Sequence, residues 1–257
     1  MSLNGQNPRT VAHEKVDRPL AAYARDYEDG EETGWHDHVR AQLLYATEGV
    51  MRVGTSPMQF VVPPGRALWV PANTLHEVRT QGRVAMRALF FRADAAQVGE
   101  LKPAVLGVSN LLRELILAAC AEPLEWDEAG RGGHLAALIL EEVARAPRLP
   151  FAIPALQDPR LRRLAEALAA DPRSDLTLDD WAARCGASAR TMARLFHAET
   201  GMGFARWRQT LRLAEAAALL AGGATPARAA AAVGYASAPA FGAAFRAAFG
   251  ITPGEAR

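Results

Sequence analysis

The chain is short of cysteine, has no lysine in its last hundred residues and contains no long hydrophobic run. Only Cys120 and Cys185 occur among 257 residues, which excludes a disulfide framework, and both read as reduced thiols. No apolar stretch approaches the ~18 uninterrupted residues that a membrane helix needs. The opening Met1-Ser2-Leu3-Asn4-Gly5 lacks the basic patch and apolar core of a secretory signal. These absences predict a cytoplasmic protein with no membrane partner. The rest of the composition is ordinary for a globular chain, 50% hydrophobic and 22% charged. Its length leaves room for two domains, each with a buried core.

Charge is nearly balanced overall but unevenly placed. Residues 158–257 carry 13 arginines, no lysine and 9 acidic groups, a net of +4, against −3 for the first 157 residues. A basic tail behind a slightly acidic front fits nucleic-acid binding through the tail.

Patterning divides the chain further. Short apolar runs at 43–46, 50–53, 59–62, 67–70 and 84–91 alternate with Gly, Pro, Asn and Ser turns. Such spacing predicts a small β-barrel or sandwich, placed over 1–95. Apolar stripes at 105–121 and 135–146 predict helices. They form a helical extension, 96–146, that could pack on its own domain or on a second copy of the chain. Three prolines within 147–154 mark 147–157 as a linker. Beyond it, 158–257 is helical in pattern. The fold class expected is α+β with two domains: an N-terminal β-rich barrel domain with flanking helices, and a C-terminal all-α double helix-turn-helix domain.

In the tail, Thr177 caps a helix with Asp180 three residues on, close to a capping box. Trp181, Ala182 and Cys185 face inward and Gly186 ends the helix. Ser188 caps a second helix reaching about Thr200. There Met192, Leu195 and Phe196 share a core face, while Arg190, Ala193, Arg194 and His197 lie opposite. Ala182-Ala183-Arg184-Cys185-Gly186 suits a helix-turn-helix corner, where a small residue lets helices approach and glycine accepts a positive φ. The unit recurs. Ala230-Ala231-Ala232-Val233-Gly234 repeats the turn 48 residues later, Ser237 caps, and Phe241 and Phe245 take core positions. Between the units, 204–221 reads as one helix with Trp207, Leu211, Ala214, Ala218 and Leu219 inward. A stiff spacer between two reading helices suits major-groove segments ~34 Å apart on one DNA face.

The run Gly234-Tyr235-x-Ser237-x3-Phe241-x3-Phe245-x3-Phe249-Gly250-x2-Pro253-x3-Arg257 resembles the signature of the AraC family of transcription regulators. The first unit agrees: Leu176 to Gly186, Ser188, Arg190, then Leu195-Phe196-x3-Thr200-Gly201. The resemblance covers about 158–257 and implies a seven-helix, two-unit DNA-binding domain. The partners it implies are double-stranded promoter DNA, a small-molecule effector, RNA polymerase and a second copy in a homodimer. By position, Ser188, Arg190, Thr191, Ala193, Arg194 and His197 fall where the family's first reading helix meets DNA, and Ser237, Ala240 and Arg246 belong to the second. Arginine can bond guanine O6 and N7 together with its planar fork. Ala238, Pro239, Ala240 and Ala243 depart from the polar residues expected in the second helix and cannot make such contacts. That helix is expected to position the domain through phosphate, with Arg246, and to touch thymine methyls with its alanines.

His36-x-His38-x3-Gln42-x6-Gly49 and Gly65-x5-Pro71-x-Asn73-x2-His76-x3-Thr80 resemble the paired motifs of the cupin superfamily. Gln42 replaces the usual Glu, Asn73 replaces Gly and Thr80 replaces Asn. Two histidines one residue apart on a strand share a face, and a third from a neighbouring strand can close a site. Three imidazoles and an amide could hold a divalent ion such as Zn, Ni, Fe or Mn. Losing the carboxylate removes a charge and weakens binding of the harder ions. Two other readings stand beside this one. In the first, His36, His38, Gln42 and His76 hydrogen-bond an organic effector without metal; in the second, the histidines are left from a metal-binding ancestor. Of the nearby aromatics, Trp35, Tyr45, Trp69 and Phe90 read mostly as core.

The leading functional reading is a sequence-specific transcription regulator, not an enzyme, whose barrel responds to a small-molecule or metal effector. The alternative is a metal-dependent cupin enzyme carrying a DNA-binding tail. Against it stand the missing carboxylate and the lack of a general base beside the motif, where only Glu48 and Glu77 are near. A third reading, a DNA-bending protein without effector, requires salt-dependent and sequence-indifferent binding.

Overall fold

The computed structural model describes residues 10–95, 102–149 and 152–256. In chain order its elements are α1 (Val11–Lys15), β1 (Leu20–Tyr27), β2 (Ala41–Ala46), β3 (Val50–Thr55), β4 (Met58–Val62), β5 (Arg66–Val70), β6 (His76–Gln81), β7 (Val84–Phe91) and β8 (Ala104–Gly107). There follow α2 (Asn110–Cys120), α3 (Arg131–Arg145), β9 (Arg148–Leu149) and β10 (Ala152–Pro154). The chain ends with α4 (Pro159–Ala170), α5 (Leu178–Arg184), α6 (Ala189–Thr200), α7 (Phe204–Ala221), α8 (Pro226–Ala232) and α9 (Ala238–Phe249). Two compact units result. The first takes in the chain up to Thr55 and from Val62 to the proline-rich segment; the second takes in 56–61 and the chain beyond that segment.

The first unit is built on a six-stranded sheet in the order β1-β7-β2-β5-β8-β9. Every residue of β2 is buried, as a strand covered on both faces requires. Alternation then splits its side chains. Leu43 and Tyr45 join Leu89 and Phe91 of β7 in a core closed by Leu112, Leu115 and Ile116 of α2 and Ile139 and Val143 of α3. Gln42 and Leu44 point the other way, into a small cavity. A further antiparallel pair, β3 with β6, runs from Val50↔Gln81 to Thr55↔His76.

Several local expectations are corrected. Residues 105–121 are not one helix: Val105 and Leu106 are buried in β8, which pairs with β5. The helix begins only at Asn110, where the Ser109 side chain accepts from Leu112 N–H. The two positions Val105 and Val108 are too few to tell a helical period from a strand. The second helix starts four residues earlier than expected, at Arg131, and its buried face is Gly132, Ala136, Ile139 and Val143. Gly132 lies so close to Trp126 that an added Cβ would come within 2.6 Å; Leu135 still packs on the core, whereas Leu138 is 48% exposed. Strands β1 and β6 escape the apolar-run criterion. The first is rich in alanine, and the second alternates buried His76, Val78 and Thr80 with more open neighbours. In the proline-rich segment, β9 pairs with β8 and β10 pairs with β4. Pro150, Phe151 and Arg257 lie outside the described residues.

The second unit is helical apart from β4 and β10. Leu161, Leu164 and Leu168 of α4 and Trp181, Met192, Phe196, Phe241, Phe245 and Phe249 are buried. Its central element, α7, has 18 residues and is therefore ~27 Å long. Trp207 and Leu211, then nearly every side chain from Leu213 to Leu220, are buried, with Leu219 only partly so. The Trp207 indole donates to Pro154 O at 3.0 Å. Six helices, not seven, are present among the described residues of this unit. Thr252 and Glu255 exchange the reciprocal bonds of a capping box, but only a turn follows. No described helix is long and apolar enough to cross a membrane.

Candidate nucleic-acid interface and histidine centre

Both helix-turn-helix corners are closed by their own sequences. Thr177 and Asp180 form a full capping box at α5. Gly186 takes φ +64° at the first corner and Gly234 φ +77° at the second, a region costly for any residue with a Cβ. The Ser188 side chain accepts from Thr191 N–H and the Ser237 side chain from Ala240 N–H. Capping fixes the rotation of each following helix. On α6, Met192 and Phe196 are buried, Leu195 is part-buried, and Arg190, Ala193, Arg194 and His197 are exposed, with Thr191 half-buried beside them. Arg190 and Arg194 form no ion pair among the described residues, so both guanidiniums are free to meet an external acceptor. On α9, Phe241, Phe245 and Phe249 are buried, while Ala238, Pro239, Ala240, Ala243 and Arg246 are exposed. The structure thus leaves Ser188, Arg190, Ala193, Arg194, His197, Ser237, Ala240 and Arg246 exposed and Thr191 half-buried, and it shows α9 to be largely alanine on its solvent face.

In the first unit, His36, His38 and His76 are all buried, and one ring nitrogen of each lies within 4.8 Å of the others. They do not come from neighbouring strands in the way the spacing suggested. His36 and His38 sit in an extended segment before β2, and an isolated bridge pairs His36 with His76 at the start of β6. Ring centroids are 4.4 to 5.4 Å apart. Gln42, on β2, brings Oε1 to 3.1 Å from His76 Nε2. The cavity they line, with Tyr23, Tyr27 and Met86, measures about 10 Å³, on the order of the space one water occupies.

The protonation pattern follows from the acceptors. His36 Nδ1 lies 2.8 Å from Gly34 O and His76 Nδ1 2.8 Å from Thr74 O. A carbonyl only accepts, so both rings carry their hydrogen on Nδ1. Burial pushes the His36 pKa down, and it pushes His76 to about 3 with help from the neighbouring His36. At neutral pH both rings are therefore neutral, with a lone pair on Nε2, and Gln42, whose amide oxygen and nitrogen exchange places by a half-turn, then presents its NH₂ to His76 Nε2. His38 Nδ1 meets Glu14 Oε1 at 2.8 Å, and its Nε2 is buried with no hydrogen-bond partner. An orphaned buried imidazole nitrogen beside two others is what a transition-metal ion requires of its ligands. The residues present fit such an ion, with Gln42 as an amide neighbour.

Sequence reasoning missed Glu14. It lies 24 residues before His38 on a five-residue helix that no pattern marked, and only the fold brings it to the centre. Glu48 and Glu77 do not line the cavity. Of the aromatics, Tyr45, Trp69 and Phe90 are core, whereas Trp35 is 49% exposed.

Comparisons with known proteins agree with both halves. A family model described as AraC-like ligand binding domain matches residues 19–137, and one described as Helix-turn-helix domain matches 181–257. The HTH-type transcriptional regulator NimR of Escherichia coli K12 is 30% identical over 220 residues, which cover 86% of this chain and 80% of NimR. The HTH-type transcriptional regulator RipA of Corynebacterium glutamicum is 38% identical over 101 residues, 39% of this chain and 30% of RipA. The structure of fatty-acid-bound ToxT from Vibrio cholerae aligns with 92% of this chain and 94% of its own at 9% identity. Its TM-score of 0.38 is too low to relate the two sites. With a ligand-binding domain ahead of a helix-turn-helix DNA-binding domain, the chain belongs to the AraC family of transcription regulators.

Proposed function

We propose that α6 reads promoter sequence, that α9 positions the domain, and that the histidine centre holds a divalent transition-metal ion as the effector. On the DNA side, Arg190 and Arg194 supply the base contacts, flanked by Ser188, Thr191, Ala193 and His197. Ser237, Ala240 and Arg246 meet the backbone and thymine methyls of the next groove. The observation that carries the metal reading is the buried, unpartnered Nε2 of His38. A cavity of about 10 Å³ supports it, because that space suits an ion or a water and not an organic molecule. Zn, Ni, Fe and Mn are the candidates, with nitrogen-preferring Zn and Ni favoured because no carboxylate reaches the cavity itself. Neither Glu48 nor Glu77 lines the cavity, and Glu14 is engaged by His38 and Val39. That leaves no free carboxylate base at the cavity among the described residues, which supports a sensor over an enzyme. We place its action in the cytoplasm, in contact with RNA polymerase. Leu111 on α2 and Leu138 on α3, 52% and 48% exposed, support pairing with a second copy.

An effector shifts activity only if it binds one state of the protein better than the other. The test is to titrate chelator-treated protein with each ion and to measure promoter affinity with and without it. One ion per chain is expected, with uptake abolished by His36→Ala/His76→Ala and promoter affinity changed at least about fivefold, the size of an ordinary coupling. Uptake no greater than that of the double variant would overturn the metal reading.

A further inference from the structure

We infer that Glu14 is the positioning residue of the histidine centre: its carboxylate holds His38 in the tautomer that leaves Nε2 as a ligand. The inference rests on the metal reading above, and nothing in the motif assigns the role. At Nδ1, His36 and His76 are held by backbone carbonyls, and of the three only His38 meets a side chain there. Both partners are buried, each side chain 2% exposed. The carboxylate is surrounded by donors. Oε1 accepts from Thr10 Oγ1 at 3.4 Å as well as from His38, and Oε2 accepts from Val39 N–H at 3.2 Å. Each oxygen thus already accepts from another donor, so Glu14 acts as an acceptor toward the ring as well and the His38 hydrogen belongs on Nδ1.

Its position is secured from outside. The Arg40 guanidinium donates to Glu14 O and Arg18 O at 2.9 Å each, and also to Val16 O. Three successive residues, His38, Val39 and Arg40, thus clasp one short segment of the chain. The carboxylate also makes His38 a more basic ligand. It returns to the centre, through the ring, part of the negative charge that Gln42 leaves out. The cupin-type carboxylate has in effect moved from the cavity wall to the layer behind it.

Glu14→Gln tests this with little change of shape. The amide has one oxygen for two fixed donors. The backbone N–H of Val39 cannot yield, so the amide NH₂ faces His38 Nδ1, and the ring moves its hydrogen to Nε2. Nitrogen-15 NMR of metal-free protein is expected to show His38 as the Nδ1–H form in wild type and the Nε2–H form in the variant. Zn²⁺ affinity is expected to fall about 10- to 100-fold, Glu14→Asp should recover part of it, and the Co²⁺ absorption spectrum of Glu14→Gln should shift. A wild-type ring protonated on Nε2, a variant that keeps Nδ1–H, or Zn²⁺ binding within about threefold of wild type each overturns the inference. The wild-type spectrum decides even if the variant does not fold. Wild-type protein that takes up no Zn²⁺ removes the metal reading instead, and that result is seen before any variant is compared.

Discussion

Set side by side, α5–α6 and α8–α9 repeat one another wherever the backbone or the core makes a demand. Thr177 and Thr225 cap the first helices, and Ser188 and Ser237 the second. Gly186 and Gly234 turn the corners, and Gly201 and Gly250 end the second helices in the left-handed conformation. Solvent faces repeat only in part: α6 shows Arg190 and Arg194 where α9 shows Pro239 and Ala243, while His197 and Arg246 hold the same place in the two helices. Even the first caps differ, since Asp180 completes a capping box where Arg228 stands in α8 and cannot. Positions that folding dictates have stayed alike, and those it leaves open have diverged. The divergence is therefore the part that reports what each unit does.

The likeness of the cores gives the largest expected effect. Phe196 and Phe245 are both about 1% exposed or less, and each →Ala change should cost ~3–5 kcal/mol by opening a cavity. Denaturant unfolding of the full chain, followed through a transition assigned to the helical unit, measures both. A cost below 1 kcal/mol for one of them would show that the two cores are not equivalent.

The difference between the faces predicts the next effect. Arg194→Ala should cost ~1–3 kcal/mol at the preferred site and relax specificity at one base pair. Arg246→Ala should weaken all sequences alike and lower the salt slope by about one. Binding to a randomised site library separates the two outcomes. If the half-site under α9 discriminates as sharply as that under α6, the division into reader and positioner fails.

Gly186 and Gly234 share a conformation but not surroundings. Alanine at Gly186 meets open space, so only the left-handed penalty of ~1–2 kcal/mol applies. At Gly234 an added Cβ would lie 3.0 Å from Arg173 Cα and 3.1 Å from Arg173 O, and backbone cannot swing aside. Gly234→Ala should therefore destabilise more than Gly186→Ala in the same unfolding assay; equal losses would mean that segment 171–175 yields.

The legibility of the sequence followed the same division. The helical tail could be read because caps, corner glycines and core phenylalanines act through neighbours a few residues away, and each leaves a local mark. In the first unit, β8 was mistaken for the start of α2 because two apolar residues carry no period. On α3, Ile139 and Val143 are buried and Leu135 packs on the core as the stripe implied, and only Leu138 departs from it, because Gly132 and Ala136, small residues that carry no apolar signal, hold the buried face in its place. His36, His38, Gln42 and His76 were legible as a group, since motif spacing survives whatever strand carries them. Glu14 was not: its meaning comes from a contact across 24 residues, and a buried Glu on a short helix looks in sequence like any surface Glu.

The smallest expected effect concerns the second caps, where likeness is only approximate. Ser188 Oγ accepts from Thr191 N–H at 3.1 Å and also bonds Thr191 Oγ1 at 2.9 Å. Ser237 Oγ reaches Ala240 N–H at 3.3 Å, and Ala240 offers no hydroxyl. Both lie at the mouths of exposed helices, where an N-cap is worth ~1 kcal/mol. Ser188→Ala should cost about that amount, and Ser237→Ala somewhat less, because Pro239 already presets the first turn. The same pair bears on DNA binding. Ser237, committed only as acceptor to its own helix, still has its hydroxyl hydrogen for a phosphate, and Ser188 has its own when Thr191 is the donor of their shared bond. Each variant should thus lose a little affinity for every sequence, without change in preference. A change of preferred bases on losing Ser237 would mean that α9 reads sequence after all, through its cap and not through its alanines.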